Sequence, residues 1–502
     1  MSTLGLTATG AALEAIDRHL PALLQDRVAS RLGAQDADLW GAPARDEAAK
    51  RLGWIDLFED SRALVPHIAQ LTRELRAEGV DRVVLAGMGG SSLAPEVIAA
   101  TAGVELEVLD STDPLQVSRA LERDLERTVL VVSSKSGSTV ETDSQRRVVE
   151  AAFRDAGIDP RTRLVAVTDP GSPLHAACES AGWRAVFTAD PTVGGRFSAL
   201  TAFGLVPTGL AGVDVAALLD DAEAVLDLLI ADDEDNPGLQ LGAALGGTRP
   251  LRDKLVFADH GSGIAGLPAW IEQLIAESTG KDGTGLLPVV VAPGDPETAW
   301  DAPDLLQVQL VGEDDVAAPG HGVQVAGSLG AQLLLWEVAT SVAGALLKIN
   351  PFDQPDVESA KIATRAVLAD KPEPTPADLV DGSVEIRGDA SLLDGADDLR
   401  GAIQALLKTL PDNGYLAVQA YFDRLTWTEL EDARPLLASI TGRPTTFGWG
   451  PRFLHSTGQF HKGGTPVGSF LQITAASDTD LDIPGGDFTF GELISAQADG
   501  DA

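Results

Sequence analysis

Twice along this chain, short runs rich in Val and Leu give way to glycine- or hydroxyl-bearing loops and then to segments of helical periodicity. Residues 83–86, 104–109, 129–132 and 164–167 read as strands in the first stretch. Residues 254–259, 288–291, 305–311 and 323–325 read as strands in the second, with a helix over 268–276 and a strongly apolar one over 330–347. Strands that alternate with helices need crossover connections, which argues for parallel sheets covered by helices. The fold class predicted is therefore α/β, in two similar halves joined by an acidic helical stretch around 214–235. Residues 1–75 look helical, with Leu13, Ile16 and Leu20 on one face. Residues 371–400 are rich in Pro, Asp and Gly and mark a boundary, and mixed strands and helices follow from Tyr415.

At 502 residues the chain exceeds one ordinary core, and about two to four domains are expected. The divisions that follow are 1–75, 76–230, 231–370 and 371–502. No apolar run is read as long enough to span a bilayer, and Met1-Ser-Thr-Leu-Gly5 lacks a basic and then apolar leader. Cys178 is the only cysteine, so no internal disulfide or thiolate metal cluster is expected. These features favour a cytoplasmic enzyme. The formal net charge of −38 repels nucleic acid and anionic membranes, so neither is an expected partner. An anionic ligand would need a few cations gathered in one cleft.

The stretch Val131-Val-Ser-Ser-Lys-Ser-Gly-Ser-Thr-Val-Glu-Thr142 supplies such a place. A buried strand ends in hydroxyls, one lysine and one glycine, and a helix begins. Ser138 and Glu141 have capping-box spacing, with Ser138 as N-cap and Glu141 at the third helical position. Free N–H groups and the helix dipole attract a phosphate there, Ser and Thr hydroxyls add donors, and Lys135 adds a charge. The P-loop spacing is missing.

Further candidates are each weak alone. Gly89-Gly-Ser-Ser92 lies between a strand and a helix, where glycines would let a ligand approach the backbone. Val193-Gly-Gly-Arg-Phe-Ser198 offers Arg196, always protonated and able to steady an oxyanion. Glu277 precedes Gly280, a suitable helix C-cap, so it sits at the negative end of a helix dipole, where a carboxylate becomes a better proton acceptor. Phe352-Asp-Gln-Pro-Asp-Val-Glu-Ser-Ala-Lys361 places Lys361 two turns after Gln354. Phe453-Leu-His-Ser-Thr-Gly-Gln459 carries His455 between an apolar run and a polar turn. No histidine pair has helical metal-ligand spacing, so no metal site is expected.

Together these motifs closely resemble the glucose-6-phosphate isomerase (phosphoglucose isomerase) family over residues 83–459. The resemblance implies two sugar-isomerase domains, each a five-stranded parallel sheet flanked by helices, with the site between them and a smaller C-terminal α/β region. It implies interconversion of glucose 6-phosphate and fructose 6-phosphate through a cis-enediol, in glycolysis and gluconeogenesis, with no cofactor. By the same resemblance Ser134, Lys135, Ser136 and Thr139 would bind the sugar phosphate, with Ser91 and Gln354 nearby. Glu277 would be the base between C2 and C1, Arg196 would stabilise the enediolate, and Lys361 and His455 would assist ring opening. In most of the family the histidine lies between the glutamate and the lysine. Here His455 follows Lys361, which resembles a subgroup known from actinobacteria and from fusions to transaldolase. The family's ordinary histidine comes from the second subunit of a homodimer, and the altered order leaves open which subunit His455 serves. Two other activities fit parts of the pattern: a dual phosphoglucose/phosphomannose isomerase, and a phosphosugar-binding module without catalysis. The latter needs no base, and the presence of Glu277, Arg196 and Lys361 in their motifs argues against it.

Overall fold

The computed structural model describes residues 4–315, 320–372, 375–476 and 479–502. Met1 to Thr3, read above for a leader, lie outside them, as do residues 373 and 374 of the 371–400 boundary. The chain starts with strand β1 (Gly5–Thr9), then helices that include α1 (Ala11–Gln25) and α2 (Phe58–Ala77). The helical expectation for residues 1–75 therefore missed a strand. Of the side chains placed on one face of α1, Ile16 is buried and Leu20 packs partly buried against the core, while Leu13 is exposed.

The first sheet holds β2 (Arg82–Gly87), β3 (Glu107–Leu109), β4 (Thr128–Ser133), β5 (Leu164–Thr168) and β6 (Ala185–Thr188). Their spatial order is β3-β2-β4-β5-β6, and every pairing is parallel. Helices α3 (Leu93–Thr101) and α4 (Val140–Asp155) follow β2 and β4. Every residue of β4 is buried, as expected for a parallel strand covered on both faces. The chain leaves β2 to one side and returns on the other, so the strand order reverses between β2 and β4. Ligands of such sheets sit at that crevice, beyond the carboxyl ends of the strands.

The second sheet holds β7 (Lys254–Asp259), β8 (Leu287–Val291), β9 (Leu305–Leu310) and β10 (Gly322–Ala326), with α5 (Leu267–Thr279) between β7 and β8. Its order is β1-β10-β9-β7-β8. Four strands are parallel, and β1 closes the edge antiparallel, Gly5 opposite Ala326 and Thr9 opposite Gly322. An edge strand needs no crossover and can come from a distant part of the chain. Helices α6 (Leu329–Leu347) and α7 (Val357–Asp370) follow. Contrary to expectation, α6 is long and apolar enough to cross a membrane by length and composition. It lies in the interior, where a helix apolar on all sides belongs, with Trp336 against Phe257 at 5.5 Å.

The 371–400 boundary forms a hairpin of β11 (Leu379–Asp381) and β12 (Val384–Ile386). A third, parallel sheet of β13 (Tyr415–Tyr421), β14 (Thr445–Trp449) and β15 (Gly468–Thr474) has β13 at its centre. Helix α8 (Gly458–Gly463) lies between β14 and β15, and α9 (Phe490–Asp501) comes last. Alternation along the first sheet sorts its side chains into two cores. Leu85, Val131 and Val165 join Phe257 and Trp336 of the second half in one. Ala86, Val132 and Ala166 join Phe153, Phe490 and Leu493 in the other, so α9 covers the far face of the first sheet.

Candidate active site

Arg196 is the hub of the site. It sits in a single helical turn, Gly195–Phe197, after β6, and Phe197 anchors that turn by stacking on Trp54 at 5.1 Å. The guanidinium is 4 % exposed. Nε donates to Ser278 Oγ at 2.7 Å, Nη1 to Gln354 Oε1 at 2.9 Å, and Nη2 to the carbonyls of Pro351 (2.7 Å) and Asp353 (3.1 Å). Nη1 also lies 3.4 Å from Glu277 Oε1. Burial pushes the guanidinium below its usual range, while Glu277 and Asp353 pull it back up. The structure thus brings Arg196, Glu277 and Gln354 together.

Glu277 projects from the last turn of α5, whose C-cap is Gly280. Its Oε2 accepts from Gln273 Nε2 at 3.1 Å, one turn earlier on the same helix. The same Gln273 nitrogen donates to the His455 carbonyl at 2.8 Å, so one amide ties the carboxylate to the histidine loop. Gln273 was not singled out from sequence, although its i,i+4 spacing to Glu277 could have found it. Lys281, beyond the cap, bonds to Asn350 O at 2.7 Å and Asp353 Oδ1 at 2.8 Å. Burial and the nearby Arg196 bring its ammonium down to about 8, against the pull of Asp353 and Glu277.

His455 reaches the same cleft from within the chain. Its Nε2 lies 3.0 Å from Glu141 Oε1. This corrects the capping box. Helix α4 starts at Val140 with Thr139 as N-cap, and no side chain caps it. Glu141 points into the interior, where the half-buried His455 imidazole and the buried Gln497 amide are its partners in place of a local cap. Burial pushes the Glu141 carboxyl up, but His455, a backbone N–H and the charge of Lys361 hold it below its ordinary value. A clamp missed by sequence holds the loop: Arg452 Nη2 bonds Glu96 Oε2 at 2.6 Å and Nη1 bonds Asp110, while Arg424 Nη2 bonds Glu96 Oε1 at 2.7 Å. Burial acts to raise Glu96, and the two arginines outweigh it and bring its carboxyl to about 2. Gln459, also buried, donates to Gly280 O (2.9 Å) and Asp356 Oδ2 (2.6 Å), joining the end of α5 to the start of α7.

The hydroxyl loop crowns β4. Ser134 Oγ lies 3.2 Å from Thr139 Oγ1 and accepts from Gly137 N at 3.1 Å, and Ser136 Oγ lies 2.9 Å from Ser138 Oγ. Lys135 is less free than expected: its Nζ pairs with Asp169 at 2.8 Å. Burial lowers its ammonium, and Asp169 restores part of the loss. Ser91 sits in the adjacent loop after β2. The glycines before it allow close packing. A Cβ on Gly90 would lie 2.0 Å from Gly195 O, and one on Gly89 would lie 3.0 Å from His455 O. They let three site segments nest together. Lys361, on α7, is 45 % exposed, and its nearest charged partner is Glu358 at 3.7 Å. It does not bond to another predicted site residue.

A hydroxyl loop at a helix start, a carboxylate beside a buried guanidinium and a carboxylate–imidazole pair are the groups of a protein able to bind an anion and move a proton. Residues 72–284 match the phosphoglucose isomerase family. A glucose-6-phosphate isomerase of Thermus thermophilus is 32% identical over 419 residues, covering 71% of this chain and 97% of that protein. One from Rubrobacter xylanophilus is 30% identical over 374 residues, covering 59% of this chain and 84% of that protein. A solved glucose-6-phosphate isomerase from Chlamydia trachomatis shares the fold, at a TM-score of 0.54 and 19% identity over 69% of this chain and 79% of that one. The chain belongs to the glucose-6-phosphate isomerase family.

Proposed function

We propose that the protein interconverts glucose 6-phosphate and fructose 6-phosphate, an aldose–ketose isomerisation of glycolysis and gluconeogenesis. One observation carries the roles: the Glu277 carboxylate lies 3.4 Å from a buried Arg196 and is joined through Gln273 to the His455 loop. The pyranose opens as a proton leaves the anomeric hydroxyl and another reaches the ring oxygen, with His455 and Lys361 as the acid/base pair. Glu277 then removes the proton from C2, and the electron pair moves through the new C1–C2 double bond onto O1. Arg196 stabilises that oxyanion. The O2 proton passes to O1, and Glu277 returns its proton to C1 as the C2–O2 carbonyl forms, which leaves the ketose with a hydroxyl at C1. Ser134, Ser136, Thr139 and Lys135 hold the phosphate at the start of α4, with Ser91 and Gln354 beside it. The order of Lys361 and His455 along the chain supports membership of the subgroup known from actinobacteria and transaldolase fusions. A cytoplasmic homodimer completes the proposal, and sedimentation of the purified protein tests the dimer.

A coupled assay started with fructose 6-phosphate tests the activity, and no glucose 6-phosphate formed would refute it. The steps need one base, one fixed cation and an acid/base pair, so the rate should persist in excess chelator. Loss of activity in chelator with recovery on adding a divalent ion would show otherwise. Ser134→Ala and Lys135→Ala should raise KM by roughly tenfold with kcat little changed, since a charge-assisted bond to the phosphate is made equally in ground and transition states. Wild-type affinity for sugar phosphates in both variants would put the cradle elsewhere.

A further inference from the structure

We propose that Gln497, on α9, is a positioning residue that clamps Glu141 so that Glu141 in turn holds the His455 imidazole for ring opening. The proposal rests on the ring-opening role given to His455. Glu141 Oε1 has two partners: His455 Nε2 at 3.0 Å and Gln497 Nε2 at 2.8 Å. Glu141 and Gln497 are both buried. A carboxylate there has little water to turn to, so its orientation depends on these donors. The Gln497 amide is itself fixed, because its Oε1 accepts the Thr112 hydroxyl at 2.6 Å, and Thr112 is fully buried. Flipped, the amide would turn its oxygen toward the carboxylate. The relay runs from Thr112 through Gln497 and Glu141 to His455, and leaves imidazole Nδ1 for the substrate.

The rest of α9 is anchored independently of this amide. Phe490 and Leu493 fill the core behind the first sheet. Thr489 and Glu492 form a capping box at its start. Gly500 packs so closely on α7 that a Cβ would come within 2.7 Å of Thr364 N, and Asp501 pairs with Lys462 of α8. The helix therefore touches α7, which carries Lys361, and α8, which follows His455, while its one buried amide reaches the acid–base pair. The amide at that position serves two buried groups, the Glu141 carboxylate through its nitrogen and the Thr112 hydroxyl through its oxygen.

Gln497→Leu and Gln497→Glu test this in the full chain. The first removes the donor; the second sets a carboxyl against Glu141, where like groups cannot both ionise. Both should lower kcat from cyclic glucose 6-phosphate about tenfold, part of the roughly 10²–10⁴-fold a positioned acid/base contributes. KM should stay within about twofold, since the phosphate loop is untouched. Solvent-deuterium exchange at C1 of 5-deoxyfructose 6-phosphate, which cannot close a furanose ring, should stay within about twofold of wild type, because it bypasses ring opening. His455→Ala should show the same split with a larger loss, and the double variant should be no worse than His455→Ala alone, as for groups acting through one another. Thr112→Val should give the same split at about threefold and serves where the Gln497 variants fold poorly. Unchanged kcat in the folded variants, equal loss on both substrates, or losses that multiply with His455→Ala would overturn the proposal. If His455→Ala itself opened the ring at the wild-type rate, the role of His455 would fall first.

Discussion

Glu277→Gln is expected to bind fructose 6-phosphate and almost cease to isomerise it. The amide keeps the shape and can still meet Gln273, but it cannot accept a proton from carbon. The phosphate loop on β4 is untouched, so KM should move little, while kcat should fall roughly 10²–10⁴-fold, the usual contribution of a positioned acid/base. Exchange of the C1 hydrogen of fructose 6-phosphate with solvent deuterium should fall in parallel, since the same group performs both. Exchange close to the wild-type rate would mean that a different residue is the base.

Arg196→Ala should damage both rate and stability. Its guanidinium meets Ser278, Gln354 and the carbonyls of Pro351 and Asp353, and it stands 3.4 Å from Glu277. Truncation leaves the buried Pro351 carbonyl and the Glu277 carboxylate without that cation. Removing one partner of a buried pair costs about 3–5 kcal/mol, which urea unfolding would read. Turnover should fall on the order of 10²–10³-fold with the loss of oxyanion stabilisation. Arg196→Lys separates the two effects. A lysine keeps the charge but cannot bridge so many acceptors, so stability should recover partly and rate much less. Wild-type kcat in Arg196→Lys would show that the guanidinium geometry is dispensable.

Much of the frame was readable because parallel strands buried on both faces leave continuous apolar runs. The strands at 83–86, 129–132 and 254–259 lie within β2, β4 and β7. Loops at the carboxyl ends of such strands carry recognisable chemistry, and Arg196, Glu277 and Gln354 do meet. What escaped was whatever depends on a distant partner. Strand β1 is short and at an edge, and nothing local marks its pairing. The side chain of Glu141 fits a cap by spacing, and its inward partners, among them His455, 314 positions away, are distant in sequence. Gln497 is 356 positions from Glu141 and lies in a helix that looks ordinary by itself. Lys135 stood out as a lone cation in a polar loop, and the acid that occupies it, Asp169, comes from the next strand's loop.

The pairing of β1 with β10 sets a schedule for synthesis. Gly5 leaves the ribosome ahead of its partner Ala326, which follows 321 residues later by their numbers. At about 5–20 residues per second, this segment waits roughly a quarter of a minute to a minute for its place in the second sheet. The whole first sheet emerges in that interval and can close on itself. An unpaired strand is a template for other chains. The second half therefore matures late, and crowding of nascent chains should harm its yield more than that of the first.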